Sequence, residues 1–119
     1  VLQCDERHFV EDPCIWQVGD HFEMLAKDIT GEIVGEVYAG AHARSRNGLD
    51  WTFSDPPKAY SRTVRWDDGS VTTQGCLERP QLLIENGTPT HLFAATGDGP
   101  GGFRNTQNTW NMVIPIAAG

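Results

Sequence analysis

Apolar and polar residues alternate along this chain in short runs, and nearly every run ends at a turn residue. "CIWQV" (14–18) faces "HFEMLAK" (21–27) across Gly19-Asp20, a two-residue hairpin connection. "GEVYAGAHARS" (35–45) is followed by "WTFS" (51–54), with Asn47-Gly48 supplying the positive φ angles of a tight turn. "AYSRTVRW" (59–66) and "SVTTQ" (70–74) flank Asp67-Asp68-Gly69, and "QLLIE" (81–85) and "HLFAAT" (91–96) flank Asn86-Gly87-Thr88-Pro89. A glycine-rich loop, "GDGPGGFRN" (97–105), precedes a last strand, "TWNMVIPI" (109–116). No window longer than about ten residues holds the i, i+3, i+4, i+7 spacing of a helix. The pattern predicts an all-β protein built of antiparallel meanders.

The strands divide into two groups. Residues 13–54 carry four in succession, the content of one propeller blade. Residues 59–116 carry about five more, as a second blade with an inserted hairpin. Length sets a limit, because a blade takes roughly 40–50 residues and a propeller needs about four blades to close. The chain is therefore expected to form a single domain, 1–119. Residues 8–57 would be a first blade and 58–119 a second, within a partial five-bladed β-propeller. A small β-sandwich or barrel of eight or nine strands is the alternative.

With 119 residues, a net charge of −7 and no block of Lys or Arg, the chain lacks the footprint of a nucleic-acid or anionic-membrane surface. A neutral or weakly charged ligand suits it better. The longest apolar run falls far short of a membrane span, and no basic n-region with an apolar h-region marks a signal peptide. Cys4, Cys14 and Cys76 show no CxxC spacing and no matching His pair, so neither a disulfide framework nor a zinc site is expected. An odd count leaves room for one bridge, and three semi-buried thiols are the plainer expectation. Four tryptophans serve cores and sugar platforms equally well.

Two acidic stretches carry the candidate chemistry. "VEDPCIW" (10–16) sets Glu11 and Asp12 against Pro13, and "GCLERPQLL" (75–83) sets Glu78 and Arg79 against Pro80. Proline fixes its own φ and restricts the residue before it, so Asp12 is expected to be extended and rigidly presented at a strand entry. If both acids reach one place, they offer the pair of carboxylates that glycoside hydrolysis requires. "SRNGLDW" (45–51) reads as a structural hairpin in which Trp51 packs back beneath the turn. "GDGPGG" lacks a following Lys-Ser/Thr and a helix, so it fails as a phosphate cradle. No Ser/His/Asp or Cys/His constellation is evident.

Taken in order, "EDPCIW", "GAHARSRNGLDW" and "ERPQLLIENGTPTHLF" resemble the five-bladed β-propeller glycoside hydrolases of the family-43 and family-32 type, over about residues 8–116. The resemblance implies a glycosidase acting on an oligosaccharide or polysaccharide. Glu78 would be the proton donor, and Asp12 the residue that positions it and raises its pKa. His42 would line the site, and Glu11, Arg79 and Trp16 would contact substrate. Arg79 could also hold the Glu78 carboxylate in place. No residue fills the first-blade role of base or nucleophile. The resemblance thus implies the middle of such an enzyme, reliant on self-association or on blades not present here, and doubtful as a catalyst alone. It favours a secreted or periplasmic setting and requires no cofactor or metal, though such enzymes admit a central Ca ion. The competing expectations are a non-catalytic carbohydrate-binding β-module and an interaction domain whose acids serve only turns.

Overall fold

A computed structural model describes residues 5–99 and 102–117. The structure is all-β. Among the described residues nine strands run in order: β1 (Val10–Val18), β2 (His21–Asp28), β3 (Gly40–Ser45), β4 (Thr52–Tyr60), β5 (Thr63–Arg65), β6 (Val71–Thr73), β7 (Cys76–Glu85), β8 (Thr88–Gly97) and β9 (Thr109–Pro115). They form a four-stranded antiparallel meander β1-β2-β3-β4, a two-stranded ribbon β5-β6 and a three-stranded meander β7-β8-β9. Among the described residues no sheet closes into a barrel, and the layering fits a small β-sandwich. Strand β4 runs through the expected boundary at 57 and 58 and ends only at Tyr60.

The turns follow the sequence closely. Gly19-Asp20 joins β1 to β2, and Asn86-Gly87 joins β7 to β8 with φ of 52° and 78°. That is the two-residue geometry in which both central residues need positive φ. At the β3–β4 turn Ser45 Oγ accepts from the Asn47 and Gly48 amides, and Asn47 Oδ1 accepts from those of Leu49 and Asp50. Trp51 Nε1 donates to the Gly48 carbonyl, and the ring packs on Met24, Ala26 and Ala43. "SRNGLDW" is therefore a structural device.

One expected strand is shorter. Residues 35–39 are not extended, and 29–39 fold into a loop around Asp28. This carboxylate is fully buried and accepts the amides of Gly31, Ile33 and Val34 at 3.0 Å each. Three donors on one side chain outweigh any pairing that residues 35–39 could make along β2.

Two small cores hold the layers. Met24, Ala26 and Ala43 form one, and Val64, Leu77, Ala94 and Met112 form the other, with Tyr60, Trp66 and Ile114 packed against it. Tyr60 links the halves: its ring lies where a Cβ on Gly40 would come within 2.1 Å of it, and its hydroxyl donates to the Leu77 carbonyl. Only glycine fits at position 40. Strand β1 lies against β7 across the two sheets, and this contact positions the site.

Candidate functional site

Glu11-Asp12-Pro13 and Glu78-Arg79-Pro80 occupy the same position in their respective sheets. Glu11 pairs with Lys27 and Cys14 with Leu25, so β1 holds one more residue than β2 between these pairs. Likewise Glu78 pairs with Ala95 and Gln81 with Phe93. Each first strand thus carries the same β-bulge at the same Glu-X-Pro sequence. A bulge interrupts the ladder where proline has no N–H to give it.

The acids therefore sit inside β1 and β7, not at their entries. Nor is Asp12 extended: its φ is 56°, and that of Arg79 is 54°. Proline bars only the right-handed helical region to its predecessor, and the bulge then turns that residue left-handed. Asp tolerates this conformation better than Arg does. Strain of this kind costs on the order of 1–3 kcal/mol per residue and persists only where packing enforces it. Here Pro80 is fully buried.

Because β1 lies against β7, the two bulges meet over one side chain. Lys27 Nζ donates to Glu78 Oε2 at 2.6 Å and stands 3.4 Å from both Asp12 Oδ2 and Glu11 Oε2. The Asp12 and Glu78 carboxylates are separated by no more than these two distances laid end to end, inside the ~10 Å that a shared two-carboxylate site allows. The Lys27 side chain is only 8% exposed, and its ammonium lies 5.8 Å from the centre of the Tyr38 ring. Phe103 meets Tyr38 edge-on. With Ile29 and Arg79 these residues line a pit of about 350 Å³.

Lys27, Tyr38 and Phe103 are the residues that sequence reasoning missed. Lys27 had a readable signal: in "HFEMLAK" it shares the alternation of Glu23 and Leu25, so a charge was bound to face inward. Tyr38 and Phe103 arrive from irregular loops, which carry no periodicity.

His42 and Trp16 are not in this pit. Their rings stack on each other, with centroids 6.2 Å apart and planes 17° apart, in a separate groove of about 490 Å³ between the sheets. That groove is mainly apolar, lined by Leu25, Leu82, Leu92 and Ile114 among others. His42 Nε2 meets Glu23 Oε1 and its Nδ1 meets Ser54 Oγ, each at 2.7 Å. Trp66 packs on the second core, and the ring of Trp110, itself exposed, lies 6.4 Å from it. Cys14 and Cys76 are free thiols, and Cys4 lies outside the described residues. Among the described residues no group of three or more His, Cys, Asp or Glu side chains is arranged to hold a metal ion.

Two groups at the junction make stability sensitive to alkali. Burial alone would lower the Lys27 pKa, but its hydrogen bond to Glu78 and the charges of Glu78 and Asp12 outweigh burial and raise it. Its contribution is full below the ordinary lysine value of 10.5 and is lost as pH climbs through the higher folded value. Burial, followed by the charges of Asp12, Cys14 and Glu78, raises the Tyr60 phenol above its ordinary 10.0. Above that pH the unfolded chain ionises while the buried phenol does not, which again favours unfolding. The urea midpoint is expected to hold to about pH 9.5 and fall steadily above pH 10, less steeply in Tyr60→Phe. A midpoint flat from about pH 9 to 12 would contradict this account of both groups.

Comparison with protein-family models, with curated proteins and with solved structures finds no match.

Proposed function

We propose that the pit where β1 meets β7 is part of a carbohydrate-active site of the glycoside hydrolase type, with Glu78 as proton donor and Asp12 as the residue that positions it. The convergence of Asp12 and Glu78, 66 residues apart in sequence, on one buried ammonium carries this reading. A pit lined by paired carboxylates, one ammonium, one guanidinium and two aromatic rings suits a neutral polyhydroxyl ligand. The repeated bulge supports reading the two meanders as successive blades of a five-bladed propeller, each delivering its first strand to a common axis. Glu11 and Arg79 stand at the rim to bind hydroxyls. His42 and Trp16 take no part, since they line the other groove.

One observation favours a second reading. Lys27 Nζ already donates to Oε2 of the proposed donor at 2.6 Å, which occupies the oxygen that a leaving group would approach. Catalysis in this site therefore needs a substrate hydroxyl to take over Lys27's bond to Glu78. Where that exchange fails, the same pit is a non-catalytic saccharide-binding site.

The test is turnover of a panel of aryl glycosides by the full chain, beside oligosaccharide binding followed by NMR. Turnover is expected to fall at least ~100-fold in Glu78→Gln while binding persists. Binding without turnover in the parent protein would select the second reading. If no saccharide shifts the resonances of Tyr38, Lys27 or Phe103, both readings fail.

A further inference from the structure

The groove between the sheets holds an arrangement that the pit does not use. Glu23 on β2, His42 on β3 and Ser54 on β4 lie side by side across three strands of one face. A carboxylate only accepts, so His42 Nε2 carries the proton shared with Glu23 Oε1 at 2.7 Å. In the neutral ring this leaves Nδ1 as an acceptor, and Ser54 Oγ sits 2.7 Å from it. Carboxylate, imidazole and hydroxyl thus stand in the order that activates a serine: an orienting acid, a base with its lone pair on the hydroxyl, and the nucleophile.

The surroundings hold this order in place. Glu23 is 14% exposed and also meets Arg44 Nε and His21 Nε2, each at 3.4 Å. The Trp16 ring stacks on His42 and limits its rotation. Ser54 follows the last regular pair of β4 with β3, Ala43 with Phe53, and register resumes only at Ala41 with Lys58. The hydroxyl therefore lies where the strand leaves the ladder. Beside it Glu23 and His42 face the groove of about 490 Å³, whose remaining walls are largely apolar.

We propose that Ser54, His42 and Glu23 form an acyl-transfer site that hydrolyses esters whose acyl or aryl part occupies the adjoining apolar groove. Ser54 Oγ attacks the ester carbonyl carbon as its proton passes to His42 Nδ1. That proton then goes to the departing alkoxide or phenoxide oxygen as the C–O bond breaks, leaving the acyl group on Ser54. Water, giving a proton to the same Nδ1, cleaves the acyl–serine bond, and the proton returns to Ser54 as the acid leaves.

The test uses the full chain with p-nitrophenyl acetate and p-nitrophenyl butyrate, and labelling by an alkyl fluorophosphonate with peptide mapping. Release of p-nitrophenol above the buffer rate is expected, faster for butyrate, with the phosphonate on Ser54. Ser54→Ala and His42→Gln should each remove at least ~100-fold of the catalysed rate. His42→Gln should also abolish labelling in a protein whose circular dichroism is unchanged. An unaltered rate in Ser54→Ala overturns the proposal, because lysines and histidines anywhere on a surface react with activated acetates. So does absence of phosphonate from Ser54 in the parent protein, a measurement that needs no variant to fold.

Discussion

Replacing Asp28 by alanine is expected to lower the unfolding free energy by about 3 kcal/mol, read as a shift of the urea midpoint at unchanged slope. The carboxylate is fully buried and its two oxygens take three backbone amides, from Gly31, Ile33 and Val34. Alanine leaves all three donors unmet, and a stranded buried donor costs about 1–3 kcal/mol. The three parent residues are half-buried, so water recovers part of the loss and holds the total toward the lower end of the sum. Asp28→Asn keeps one accepting oxygen and should fall between the two. The change should also reach the pit. The neck of the loop is closed by Asp28 and Ala39 and by Tyr38 and Asp28 backbone bonds of 2.9 and 2.7 Å, and the same loop carries Ile29 and Tyr38 into the lining. A variant within about 0.5 kcal/mol of the parent would mean that Asp28 does not organise residues 29–39.

The strands and their partners were legible because the information is local. Asn86-Gly87 and Gly19-Asp20 each name a two-residue turn, and the alternation on either side of a turn fixes which strands pair. What failed was whatever depended on departures from alternation. A bulge adds one residue to one strand. In sequence, Glu11-Asp12-Pro13 and Glu78-Arg79-Pro80 therefore look like strand entries, although each stands within a ladder. The recurrence of Glu-X-Pro was visible, but its common geometry was not. "GEVYAG" likewise has the alternation of a strand, and no propensity reveals that Asp28, several residues earlier, has already claimed the amides of the loop. The convergence of Asp12 with Glu78 was expected from sequence, and the structure brings them together. Lys27 between them was not foreseen. The Glu23–His42–Ser54 relay went unrecognised for a simpler reason: its members lie on three different strands, and only the registers of β2 with β3 and of β3 with β4 set them in line.

Lys27→Met is expected to destabilise the protein by about 2–3 kcal/mol near neutral pH. Methionine nearly matches the stem of lysine in length and apolar character, so packing beneath the pit survives. What is lost is the one ammonium set among Glu11, Asp12 and Glu78, at 3.4, 3.4 and 2.6 Å. Breaking a fully buried pair by removing one partner costs about 3–5 kcal/mol. The smaller figure follows because the three acids are themselves 57%, 23% and 26% exposed, so water screens part of their mutual repulsion. A Lys27→Met, Glu78→Gln double variant tests the coupling directly, since the loss of Glu78's charge should recover about 1 kcal/mol or more of the single-variant deficit. A deficit that Glu78→Gln leaves unreduced would trace the role of Lys27 to packing. The two bulged strands would then be held together by shape alone, without the charge that now joins them.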